Sequence, residues 1–240
     1  MKLNLDELKL LNQELGQMSA QERILWAWKH FGSGLIMTTS FGLQSAVMIH
    51  LVRQVSKEIP IVFVDTGYLF DDTYQYALTL QRELNFKAKI YSSSISPAYQ
   101  KAAYGTLWEQ GKEGMAKYNK LNKIEPMDRA LDDLGATAWL AGLRNAQSDS
   151  RRSLSIVEKQ SKILKIHPIL DWEDMMTQQY LPQNKLSHHP LEGAGYESLG
   201  DWHSTKKLSE VEKSEDTRQG GYGRECGLHS DLSEDLDYNF

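Results

Sequence analysis

Cysteine is almost absent from this chain: Cys226 is the only one in 240 residues. An intramolecular disulfide is therefore excluded, and so is any [4Fe–4S] cluster held by four cysteines of the chain. Long apolar runs are missing as well. None approaches the roughly 20 residues that cross a bilayer. The start, Met1-Lys2-Leu3-Asn4-Leu5-Asp6, lacks the unbroken apolar stretch of an export signal. These absences predict a protein of the reducing cytoplasm that does not enter a membrane. Ordered metal-ligand spacing is absent too; His188-His189 stands alone, so no metal is expected, and the pair reads as structural or substrate-lining. Internal repeats and coiled-coil heptads are not found. Net charge is small in the body of the chain. Of the net −5, residues 209–240 carry −6, with nine acidic and three basic side chains, which leaves +1 for the other 208 residues. A near-neutral body argues against a general nucleic-acid surface but permits a local basic pocket.

What is present is an alternation of strand and helix signals. Apolar residues make up 40% of the chain, enough for a core. Two helices are expected in the first thirty residues, the second opened by the capping box Ser19-Ala20-Gln21-Glu22. Strands are predicted at 35–39, 61–64, 86–91, 137–141 and 163–166. Helices are predicted at 43–55, 71–84 and over most of 97–134, with Pro126 in a first turn, Gly135 at a stop, and a last helix capped by Asp171. This rhythm implies an α/β fold, a mainly parallel sheet with helices on both faces. After residue 183 glycines interrupt a polar stretch without period, which predicts an irregular, mobile C-terminal tail. The expected organisation is N-terminal helices at 1–30, a nucleotide-binding α/β domain at 31–183, and a C-terminal segment at 184–240 that carries the cysteine.

Polar clusters fall at the predicted strand ends, where open α/β sheets bind ligands. Ser40-Phe41-Gly42-Leu43-Gln44-Ser45 joins a strand to a helix and can turn backbone N–H groups toward an anion, although an ordinary βα turn has the same composition. Asp65-Thr66-Gly67 follows the second strand; helix capping is its other reading. Arg144, Arg151 and Arg152 lie on a serine-rich loop after the fourth strand and suit phosphate or sulfate, as they would a solvated basic loop. Lys123 precedes the proline-started helix. A further polar run contains His203. Cys226 is flanked by Arg224 and His229, which favour its thiolate, and by Glu225, which opposes it. A free thiol, with a pKa of about 8.5, is only a few per cent ionised at pH 7, so a reactive Cys226 needs a basic pocket to fold into.

Seven segments in order resemble the phosphoadenylyl-sulfate (PAPS) reductase family of sulfate assimilation and cysteine biosynthesis: Ser40–Ser45, Asp65-Thr66-Gly67-Tyr68-Leu69-Phe70, Tyr104-Gly105-Thr106-Leu107-Trp108-Glu109, Asn122-Lys123-Ile124-Glu125-Pro126-Met127, Gly142-Leu143-Arg144, Gly200-Asp201-Trp202-His203-Ser204-Thr205 and Arg224-Glu225-Cys226-Gly227-Leu228-His229. The last is highly specific to that family. The resemblance covers about 20–229. It implies an adenine-nucleotide α-hydrolase-like fold, usually a homodimer, with Cys226 as nucleophile. Substrate contacts would come from Ser40, Phe41, Gly42, Gln44, Ser45, Asp65, Thr66, Gly67, Lys123, Arg144, Arg151, Arg152, His203, Arg224 and His229. It implies PAPS as substrate, thioredoxin or glutaredoxin as reductant, and no bound cofactor. Relatives that cleave ATP carry Ser-Gly-Gly-x-Asp-Ser where this chain has Phe41 and Gln44, so the acidic residue that helps hold Mg²⁺ is missing. Sister enzymes acting on adenylyl sulfate carry cluster cysteines that this chain lacks, which favours the 3′-phosphorylated substrate. The chain departs from the family at Arg144-Asn145-Ala146-Gln147, where Arg-Arg-Glu-Gln is commoner, at Gly223, commonly lysine, and in the acidic run 231–240. The competing readings are an ATP-using adenylyl enzyme akin to a sulfate adenylyltransferase subunit, and a non-catalytic nucleotide-binding redox sensor.

Overall fold

A computed structural model describes residues 4–147, 151–160 and 163–217. Cys226, Arg224 and His229 lie outside the described residues.

Two capped helices begin the chain, α1 (Leu5–Gly16) and α2 (Ala20–Phe31). Each opens with a capping box: Asn4 with Glu7, and Ser19 with Glu22 as expected from sequence. Six strands follow, β1 (Leu35–Thr39), β2 (Ile61–Asp65), β3 (Lys89–Ser92), β4 (Ala138–Leu140), β5 (Val157–Gln160) and β6 (Ile163–Ile166). They form one sheet in the order β3-β2-β1-β4-β6-β5. Every neighbouring pair is parallel except β5 with β6.

Alternation along the strands sorts the core into two layers. Leu35, Met37, Ile61, Phe63, Ala138 and Leu140 pack with α2, with α3 (Ser45–Val55) and with α4 (Asp71–Glu83). Ile36, Val62 and Trp139 point the other way, onto Met127 and Ala130 of α7 (Glu125–Asp133). Helices therefore cover both faces, and α1 and α2 share one core with the sheet.

Between β3 and β4 the chain is mostly helical: α5 (Pro97–Tyr104), α6 (Gly111–Asn119), a π turn at Lys120–Ile124, and then α7. Pro126, in the first turn of α7, has no N–H to offer the preceding turn, and the wider π turn accommodates this. Gly135 ends α7 in the left-handed conformation, with φ of 57°.

Three elements differ from expectation. β3 starts at Lys89 rather than 86, because Phe86 N–H and Ala88 N–H are taken by the Gln81 carbonyl and side chain at 3.0 and 2.8 Å. β5 is an added antiparallel edge strand. Its outer backbone is closed by Asn12 of α1, which accepts from Val157 N–H at 2.8 Å and donates to Val157 carbonyl at 2.9 Å. Asp171 does not cap the last helix, α8 (Asp174–Gln183); Glu173 holds the cap position. Asp171 instead takes two bonds, of 2.7 and 2.8 Å, from the buried Arg23 guanidinium, which hold its carboxyl below the ordinary value.

Residues 184–217 are irregular, as expected, but not detached. Leu186, His189, Leu199, Asp201 and Thr205 are buried. Asp201 bridges to Leu69, and Trp202 N–H donates to Tyr68 carbonyl at 2.8 Å. This stitches the segment to the loop after β2. No described helix is long and apolar enough to cross a membrane.

Candidate active site

The strand order turns around between β1 and β4: from β1 the chain builds outward to β2 and β3, then crosses to β4 on the other side. A crevice opens at such a point, beyond the carboxyl ends of the strands. It is a cavity of ≈ 530 Å³, walled by the turns after β1, β2 and β4 and by residues 192–201.

The turn after β1 brings Ser40, Gly42, Gln44 and Ser45 to the cavity. Phe41 is not among the lining residues. Its side chain is fully buried, with its ring edge-on to Phe63 at 5.0 Å between centroids. Its φ of 50° lies in the left-handed region, which costs a non-glycine residue about 1–2 kcal/mol. Core packing of the ring offsets that cost and bends the chain so that α3 begins facing the cavity. Phe41, expected as a substrate contact, supports the turn through its buried ring.

The turn after β2 divides its labour. Thr66 lines the cavity. Asp65 does not; it accepts from Gly67 N–H at 2.9 Å and from Tyr74 hydroxyl at 2.6 Å. Burial first, and then the Asp65 bond, push the Tyr74 hydroxyl up. Gly67 is needed on two counts: its φ is 74°, and an added Cβ would come within 2.6 Å of Pro97. Asp65 and Gly67, expected as substrate contacts, do not line the cavity and shape this turn.

Behind Thr66 lies a buried charge cluster. Lys123 Nζ, on the π turn, sits 2.8 Å from Asp201 Oδ2, and both side chains are almost completely buried. Thr66 hydroxyl donates to Asp201 Oδ1. Burial alone would raise the Asp201 carboxyl; the Lys123 charge and the Thr66 hydroxyl outweigh it and hold it at about 2. His203, also expected as a substrate contact, does not line the cavity. Its ring stacks on Trp108 at 3.8 Å and 11° and meets Tyr68, Tyr118 and Trp202 edge-on. Burial lowers its pKa to about 4, so the ring is neutral at pH 7.

On the opposite wall stands Arg144, 2% exposed. One of its amino groups pairs with Asp174 at 2.8 Å and the other donates to Gln44 Oε1. Its backbone N–H donates to Gln147, which also accepts from Arg151. Arg151 lines the cavity; Arg152 is exposed and does not. The cavity is therefore lined by three cations, Lys123, Arg144 and Arg151, and by Ser45 at the amino end of α3. Four carboxylates share it: Asp174, Glu192, Glu197 and Asp201.

Sequence reasoning placed Asp201 in a motif but gave it no role, and overlooked Asp174. No pattern marks Asp174, because its significance comes only from the approach of α8 to the β4 loop. Among the described residues no group of three or more His, Cys, Asp or Glu is placed to hold a metal.

The sequence model described as "Phosphoadenosine phosphosulfate reductase domain" matches residues 34–207. A Photobacterium profundum protein named phosphoadenosine 5′-phosphosulfate reductase is 47% identical over 228 residues, 95% of this chain and 90% of that protein. A Vibrio cholerae protein of the same name is also 47% identical, over 92% of this chain and 87% of its own. Among solved structures, a phosphoadenylyl-sulfate reductase from Candida auris in a phosphate complex superposes with a TM-score of 0.76. It is 31% identical and covers 86% of this chain and 99% of its own. A Candida glabrata FMN adenylyltransferase, 12% identical with a TM-score of 0.60, shares the fold alone; it covers 89% of this chain and 70% of its own.

Proposed function

The chain belongs to the phosphoadenosine phosphosulfate reductase family, and from that premise we propose that it reduces 3′-phosphoadenylyl sulfate to sulfite and adenosine 3′,5′-bisphosphate in sulfate assimilation. The observation that carries the proposal is the meeting of Lys123, Arg144 and Arg151 with the amino end of α3 in one cavity at the strand ends. That arrangement suits a ligand with several anionic groups, and the chain has a single thiol to act on it.

In the proposed reaction the Cys226 thiolate attacks the sulfur of the sulfonyl group. An S–S bond forms, the S–O bond breaks, and adenosine 3′,5′-bisphosphate departs with the electron pair. Charge growing on the departing phosphate is offset by Lys123, Arg144 and Arg151, with hydroxyl donors at Ser40 and Ser45. Cys226 is left as S-sulfocysteine. A thiolate of an external dithiol then attacks Cys226 Sγ and expels sulfite, and the second thiol of the reductant resolves the mixed disulfide. The dithiol supplies both electrons. Because the chain has no second cysteine, thioredoxin or glutaredoxin is the proposed reductant. Arg224 and His229 are proposed to favour the Cys226 thiolate, and Arg152 to assist from the loop. A homodimer in the reducing cytoplasm completes the reading.

Two measurements test it. Incubation with PAPS and no reductant should add the mass of one SO₃ to the peptide that contains Cys226. Cys226→Ser should abolish sulfite release in the presence of reduced thioredoxin; retained release would defeat the mechanism.

A further inference from the structure

Within the reading of the cavity as a polyanion site, its self-neutralised wall stands out. It holds three cations but four carboxylates. Two of the cations are already paired with two of those carboxylates. The two ion pairs are unlike. In Lys123–Asp201 the side chains are 7% and 2% exposed; in Arg144–Asp174 they are 3% and 63% exposed. Arg144 is also held through Gln44 and has no water to retreat into. Asp174 stands in the first turn of α8 and keeps most of its solvent. An incoming anion therefore meets a fixed guanidinium whose carboxylate partner can leave cheaply.

We propose that Asp174 is a displaceable internal competitor for Arg144 and thereby sets the affinity of the cavity for its anionic ligand. The anion replaces Asp174 at Arg144 Nη1, and the freed carboxylate turns into water. Gln44 accepts from the other amino group without adding charge, so it remains in place when the anion arrives. Only the carboxylate of the pair that breaks is wet, and the anion takes its place at Arg144, so no charge is stranded by the exchange. Removal of that carboxylate is therefore worth a few-fold in affinity and leaves the chemical step alone.

The test is titration calorimetry of the full chain with adenosine 3′,5′-bisphosphate, comparing wild type, Asp174→Asn, Asp174→Ser and Glu173→Gln. Both substitutions at 174 should tighten binding about three- to fivefold. KM for PAPS should fall by a similar factor with kcat unchanged. Glu173→Gln removes a neighbouring charge that does not touch Arg144, and should change nothing. Unchanged or weaker binding by both variants at 174 would show that Asp174 holds Arg144 in its working position, and would overturn the proposal. Equal tightening by Glu173→Gln would also overturn it, by reducing the effect to general surface charge. Absence of binding by the wild type overturns the polyanion reading of the cavity and the competition with it.

Discussion

The floor of the cavity and its rim solve the same problem differently. Both hold a cation against a carboxylate at 2.8 Å. On the floor, Lys123 and Asp201 are shut away from water among Thr66, Tyr118 and His203. At the rim, Arg144 is buried but Asp174 is wet. Neither member of a buried pair can be removed without stranding a charge, whereas at the rim the buried cation can be removed and its wet carboxylate left in water. The floor is thus built for permanence and the rim for exchange.

The largest effect should come from breaking the floor. Lys123→Met leaves the Asp201 charge buried without its partner and should cost about 3–5 kcal/mol of stability, read by denaturant unfolding. Adding Asp201→Asn should return much of that loss; a double variant no more stable than Lys123→Met would mean that the pair is not the unit of stability. The corresponding cut at the rim is Arg144→Ala. It should lower affinity for adenosine 3′,5′-bisphosphate by about tenfold or more, because a charge-assisted contact is worth about 1.5–3 kcal/mol, while Asp174 is left safely in water. A loss of stability as large as that of Lys123→Met would erase the contrast.

Acid should separate the regions next. The pKa of His203 is lowered in the fold to about 4 from 6.5. Its neutral form is therefore favoured by folding, and the stability it contributes is complete above about 6.5 and lost as pH falls toward 4. Asp201 is also depressed, to about 2 from 3.8, so its contribution disappears only below that window. Unfolding free energy measured from pH 7 to 4 should fall, and His203→Phe should flatten the slope. An unaltered slope would place the acid sensitivity elsewhere. The smallest effect belongs to Asp174→Asn: Arg144 keeps the Trp172 carbonyl and Gln44 as acceptors, so the loss of stability should stay well below that of Lys123→Met; an equal loss would make the rim pair structural.

Much of the fold was legible because the physics that sets it is local. Capping at Ser19, the stop at Gly135 and the apolar runs of β1 and β2 are all short-range signals. β5 was not legible: Val157-Glu158-Lys159-Gln160 is a short, mostly polar strand. It needs β6 on one edge and Asn12, far away in sequence, on the other. Asp171 had the right residue type for a cap, but a longer-range partner, Arg23, drew it away. The site followed the same rule. Strand ends located Ser40, Gln44, Thr66, Arg144 and Arg151 at the cavity. The same segments also contain Phe41, Asp65 and Gly67, whose tasks are to bend and brace the turns. Composition does not distinguish a side chain that faces a cavity from one that holds the neighbouring turn.

By itself the sequence determined the chemistry available: one thiol, no second cysteine to pair with it, and a set of basic and hydroxyl groups spaced at strand ends. Those follow from residue type and order, and no folding changes them. Only the tertiary structure decided which charges meet. Burial of Lys123 with Asp201, and the half-exposed meeting of Arg144 with Asp174, depend on elements that approach from far apart in the chain. The strength of each pair depends on how much water the packing leaves around it, and packing is a property of the whole fold.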